Sequence, residues 1–155
     1  MFKKLFLVAI ALFKCLFLIS QLSQITFQVD MNHEVISNQG VHIAGDFQSV
    51  AGLGGNWSPS STEMMDNNGD GIYSITLLLP DNTYEYKFIN GNAWGMDESP
   101  PSECSVGFHN NRFLVVNGYD LTLPAVNFNE SLPLVPFSIN MQNQELSIDC
   151  IYIMG

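Results

Sequence analysis

The chain has 155 residues, 15 acidic against 5 basic side chains and a formal net charge of −10, which allows one ordinary domain with a surface that repels polyanions. Nucleic acid and anionic membrane are therefore poor partners. Lys3, Lys4 and Lys14 crowd the start, so Lys87 and Arg112 are the only strong cations beyond residue 23, and their location carries information.

Met1-Phe2-Lys3-Lys4 is a basic start, and Leu5 to Phe13 is an apolar run of secretory length, too short to span a bilayer. Residues 1–23 are expected to be a signal peptide, with processing near Ser20 or Ser23 and a secreted or cell-surface product that has no stable membrane association. Lys14-Cys15 interrupts a second apolar run, Leu16 to Ile19, which leaves an uncleaved anchor as the alternative.

Residues 24–126 are expected to form the folded module. From residue 25 short alternating apolar segments are broken by Gly, Asn, Asp and Pro, and none sustains a helical period. Ile25 to Met31 alternates, placing Ile25, Phe27, Val29 and Met31 on a buried face. Val41 and Ile43 begin a second strand, on which His42 points outward as an ordinary surface residue. It ends at Gly45-Asp46-Phe47, and a Gly-rich loop leads to Trp57-Ser58-Pro59. Asp66 to Gly71 is a turn that feeds a strand from Ile72 to Leu79, with Tyr73, Ile75, Leu77 and Leu79 inward. A second turn, Pro80 to Thr83, opens the segment Tyr84 to Ile89, whose aromatics share one side and leave Lys87 pointing the other way. A proline-containing loop runs from Trp94 to Asn110, and strands at Arg112 to Val116 and Leu121 to Leu123 complete the set. Six or more strands with turn signals this frequent predict an all-β fold, an immunoglobulin-like antiparallel β-sandwich of about 100 residues. Residues 127–155 are expected to be a tail: Asn127 to Pro136 carries two prolines and no clear period, while Phe137 to Met154 alternates in part, as a hairpin would. Cys104 and Cys150 either pair, which closes a long loop and contributes about 4 kcal/mol in the chain-entropy model, or stay as two free thiols.

Catalytic and metal chemistry find little support. Asp66, Asn68, Asp70 and Gly71 match the opening of an EF-hand loop, but its closing bidentate position falls on Leu77 and a strand follows, so a plain turn is expected. Asp97-Glu98 is the one obvious acid pair, and adjacent loop carboxylates do not converge on one bond; both are expected to be solvated. His33, His42 and His109 have no partner at ligand spacing. No catalytic residue, metal or cofactor is expected. Trp57 and Trp94, the only tryptophans, both lie in polar, Gly- and Asn-rich loops where core packing does not explain them. An exposed indole is a flat apolar support for the CH face of a sugar ring, worth on the order of 1 kcal/mol by analogy with aromatic pairs.

The order of these blocks resembles a known family. Gly45-Asp46-Phe47, Trp57-Ser58, Asp70-Gly71-Ile72-Tyr73, Leu79 to Gly91, Trp94, Asp97 and Asn110-Asn111 are similar to the glycogen-binding module of the AMP-activated kinase β subunit and to starch-binding modules fused to branching and debranching enzymes. The secreted bacterial version often starts with a strand like Thr26 to Met31. The resemblance covers roughly residues 25 to 126 and implies a non-catalytic α-glucan-binding module. Its sugar-stacking tryptophans correspond to Trp57 and Trp94, its sugar-bonding lysine to Lys87, and its sugar-bonding asparagine to Asn110, with Asn111 beside it. Arg112 follows directly and is expected near the site. The implied partner is a polysaccharide, with a larger secreted partner or sorting machinery as a further expectation. The competing reading is a structural or adhesive immunoglobulin-like domain that binds no sugar.

Overall fold

The computed structural model describes residues 21–129. Eight strands follow in order: β1 (Leu22–Asp30), β2 (Val41–Gly45), β3 (Glu63–Met64), β4 (Ile72–Pro80), β5 (Asn82–Ile89), β6 (Arg112–Val116), β7 (Leu121–Thr122) and β8 (Val126–Asn127). They form two sheets. In the first, β1 lies between β4 and β7, and β8 also pairs with β1; the second has the order β3-β2-β5-β6. Pairing is antiparallel except that β7 and β8 run parallel to β1. This is an all-β immunoglobulin-like sandwich.

Strict alternation in β1 produces the core, because Ile25, Phe27 and Val29 point into the space between the sheets and are fully buried. From the opposite sheet come Val41, Ile43, Tyr84, Tyr86 and Phe88, and from β4 Leu77 and Leu79, with Tyr73 and Ile75 packed against them. Phe27 stands at the centre, its ring 5.3 Å from Phe47 and 5.0 Å from Tyr86. Burying one such side chain contributes about 1.5–3 kcal/mol.

The turn before β4 is closed by its own side chains. Asp66 accepts the N–H groups of Gly69 (2.8 Å) and Gly71 (3.0 Å), and Asp70 accepts that of Ile72 (2.9 Å). Burial acts to raise the Asp66 pKa, but the N–H donors of Gly71, Gly69, Asp70 and Asn68 outweigh it and hold the carboxyl below its usual value.

The strand β1 starts at Leu22, inside the segment expected to be removed, and Ser23 is buried. At the other end β8 carries the ordered module through Asn127, and Phe128 packs on the core. Most of the expected signal segment, the rest of the tail and Cys150 lie outside the described residues. Cys104 is buried and disulfide-bonded.

His42 takes the outward side of β2, as alternation requires, yet it is only 5% exposed and its Nδ1 has no partner. The reason is that loops cover this face. Asn90 accepts the N–H of Ser37 (2.9 Å) and donates to the Val35 carbonyl (3.0 Å), while Asn92 donates to Gln39 (3.1 Å). These bonds tie the loop after β1 to the loop after β5. Ile89, paired with His42 across the ladder, is likewise fully buried.

Candidate functional site

Both tryptophans are set by backbone features of their loops. Asp46 opens the first loop by pairing with β5: its Oδ1 accepts the Glu85 N–H (2.9 Å), and its own N–H donates to the Glu85 carbonyl (3.1 Å). Burial, reinforced by the nearby Glu85 charge and opposed by the Glu85 N–H, holds the Asp46 carboxyl above its usual pKa. Phe47 turns into the core and Gln48 is completely buried, so the Gly-rich segment loops out between fixed points. The chain returns at Trp57, whose N–H donates to the Gly45 carbonyl (3.1 Å) and whose φ is +58°. That value is uncommon for a bulky residue.

Trp94 sits on the loop after β5. Gly91 has a φ of +146°, a conformation that L side chains rarely adopt, and a Cβ there would also push aside the Met96 side chain (sulfur at 2.5 Å), so glycine is favoured at this turn. The returning segment pairs with the end of β5: Asn90 donates its N–H to the Met96 carbonyl (2.9 Å) and Glu98 donates its N–H to Phe88 (3.0 Å). Ile89 and Asp97 form a bridge. This local strand character explains the acid pair. Adjacent residues of an extended segment face opposite ways, so Asp97 meets Lys87 on the outer side while Glu98 turns inward.

The result corrects two expectations. Glu98 is not solvated: it is fully buried, with Arg112 Nη2 at 2.7 Å and Nε at 2.9 Å, and its Oε1 also accepts the Phe88 N–H (2.9 Å). Arg112 is itself 4% exposed and its guanidinium lies 5.8 Å from the Phe88 ring centre, so it closes the end of the core instead of lining a surface. Lys87 does point away from the core aromatics, but it is only 7% exposed, and its Nζ reaches Asp97 Oδ2 (3.3 Å) and the Glu98 carbonyl (3.0 Å). For Asp97 burial works to raise the pKa, but the Gly95 N–H, its own N–H and the Lys87 amine prevail and leave it lowered.

The two indoles come together. Their ring centres are 6.3 Å apart with planes inclined at 40°; Trp94 is 49% exposed and Trp57 is partly buried. They form an angled apolar ledge open to solvent. Asn110 is exposed at φ +50° in the turn between Val106 and Asn111. Asn111 is buried, and its amide donates to Glu85 Oε2 (2.9 Å), which secures that turn to β5. Sequence reasoning missed Gln48 and Glu98: Glu98 read as a solvated loop acid, and nothing in the residues around Gln48 signals a buried amide.

The comparisons with known proteins agree with a module of the glycogen- and starch-binding type. A family model described as the pullulanase X25 domain matches residues 40–124, more than half of the chain, and the chain belongs to that family. The match leaves out β1, which the structure nonetheless pairs along its whole length with β4. The chain is 30% identical over 112 residues to an amylopullulanase of Thermoanaerobacterium thermosulfurigenes, an alignment that covers 64% of this chain and 6% of the relative. An amylopullulanase of Thermoanaerobacterium saccharolyticum is 32% identical over 84 residues, 46% of this chain and 7% of the relative. The chain thus spans a small fraction of these curated relatives. Among solved structures it is similar to a γ-CGTase of alkalophilic Bacillus clarkii (TM-score 0.48, 26% identity, 69% of this chain and 15% of that one). It is also similar to the family 20 CBM of a maltotetraose-forming amylase of Pseudomonas saccharophila (TM-score 0.44, 21% identity, 68% and 99%).

Proposed function

We propose that this chain is a non-catalytic module that binds α-glucan chains of the starch or glycogen kind, and that it does so in an exported protein. The observation that carries the reading is the pair of solvent-facing indoles 6.3 Å apart. Membership of the pullulanase X25 family, and relatives named amylopullulanase, support the same ligand class.

In this reading Trp57 and Trp94 stack on the sugar, and Asn110 offers its amide to hydroxyl groups. Lys87 is covered, and its amine bonds Asp97 and the Glu98 carbonyl, so its part in this reading is to steady the Trp94 loop from beneath. Asn111 supports Asn110 from beneath. The adjacent acids Asp97 and Glu98 point to opposite sides of their segment, each held by its own cation, Lys87 and Arg112. A shallow, single-site ledge implies weak affinity, roughly micromolar to millimolar. Isothermal titration with maltoheptaose or β-cyclodextrin tests this: a saturable heat is expected, and none at millimolar ligand leaves a scaffold domain without a sugar ligand.

A further inference from the structure

We infer that Gln48 is a positioning residue for the indole ledge, holding Trp57 in a backbone conformation the chain would not otherwise keep. The inference rests on the reading of the two indoles as the ligand platform. Its starting point is the φ of +58° at Trp57, a left-handed conformation that disfavours a bulky side chain and persists only where the surroundings over-determine it. The first half of the preceding loop is anchored, with Ala51 and Leu53 packed on the core, but its glycines are not: a Cβ built at Gly52, Gly54 or Gly55 would meet no heavy atom within 4 Å. The segment next to Trp57 is tied back only through Asn56, which accepts the Ser49 N–H (2.8 Å).

The constraint comes from below. Gln48 has 0% exposure, and its amide makes four hydrogen bonds. Oε1 accepts the N–H groups of Ser58 (2.9 Å) and Gly45 (3.3 Å). Nε2 donates to the Ser58 carbonyl (2.9 Å) and the Thr62 hydroxyl (2.9 Å). A primary amide offers two donors and two acceptor lone pairs, so every bonding position is filled. Two of the four bonds grip the N–H and the carbonyl of the residue that follows Trp57. A third holds Gly45, whose carbonyl takes the Trp57 N–H. Trp57 is therefore bracketed on both sides by one buried side chain.

Freed from this clamp, residue 57 would sample ordinary backbone conformations, and ligand binding would have to order it again. Fixing one residue's backbone corresponds to roughly a tenfold loss of affinity. The test uses Gln48→Met, which keeps the length and removes all four bonds, and Gln48→Glu, which keeps the acceptors and removes the donors. Because the chain has only two tryptophans, their exciton couplet in circular dichroism reports their mutual geometry with no ligand present, and a Trp94→Phe control identifies that signal. The expected result is a folded variant with a collapsed couplet and about tenfold weaker binding of β-cyclodextrin well below its melting temperature. A folded variant that keeps the wild-type couplet overturns the inference. Should Gln48→Met fail to fold, Gln48→Glu is read in the same way. If the wild-type protein binds no glucan, the functional reading fails, while the couplet still decides whether Gln48 positions Trp57.

Discussion

At the scale of single residues, the two indoles carry the proposed ligand contact, and Trp94, 49% exposed, is the one whose removal disturbs the fold least. Trp57 and Trp94 stood out because nothing in a Gly- and Asn-rich loop calls for an indole, and the structure sets the two rings 6.3 Å apart. Replacing Trp94 by Ala is expected to lower maltoheptaose affinity by roughly five- to tenfold, the loss of one stacked contact of about 1 kcal/mol, as read by calorimetry. Its stability should stay within about 0.5 kcal/mol of wild type in urea unfolding, since half of the side chain already faces water. Lys87 shows the limit of such reading. Alternation fixes which side of the sheet a residue takes, and it took the outer side, but alternation says nothing about what lies above that side. The amine is covered and engaged by Asp97 and the Glu98 carbonyl, and His42 is covered for the same reason. Asn110 and Asn111 divide similarly into one exposed amide and one that serves the turn.

At the scale of elements, the loop between β5 and β6 is the part least legible in the sequence. Its prolines and polar residues suggested an unstructured connection, yet Met96 to Glu98 pairs with the end of β5 and sends one carboxylate to each side. The inward one is the more consequential. Replacing Arg112 by Met strands Glu98 as an unpaired charge with no exposure, and breaking a buried pair from one side costs about 3–5 kcal/mol. Urea unfolding should show that loss, and a variant within 1 kcal/mol of wild type would deny the pair its role in closing the core.

The outward acid gives a pH signature. Its folded pKa lies below 3.8, so its contribution to stability is complete above 3.8 and is lost as pH falls through the lower, folded-state value. Asp66, also lowered, acts in the same direction; Asp46, raised, acts in the opposite one. Melting temperature measured from neutral pH to below 3.8 should therefore fall more for wild type than for Asp97→Asn. Parallel curves would remove Asp97 from the account. The strands themselves were easier to read: β1, β4 and β5 alternate openly, whereas β3, only two residues long, carries too short a pattern to register.

At the scale of the whole molecule, one aromatic cluster joins the two sheets. Phe27→Ala should cost about 3–5 kcal/mol, measured by denaturant unfolding, because Phe47 and Tyr86 cannot close the space it leaves. Strand pairing reaches Leu22, which pairs with Pro80, as Ser23 does with Leu79. In the proposed exported protein a cut near Ser20 keeps both pairs, so mass spectrometry of the mature chain should find Leu22 retained, and a chain that starts after Ser23 would contradict this.

What unites these scales is a sandwich that sets two rings side by side, the proposed support for one glucan chain. Tryptophan fluorescence during a maltoheptaose titration addresses this most directly, because the chain's two tryptophans are the two proposed contacts. A saturable change in emission is predicted, reduced in Trp57→Ala and Trp94→Ala alike. Emission that stays constant to millimolar ligand, or a change that survives the loss of both rings, would contradict it.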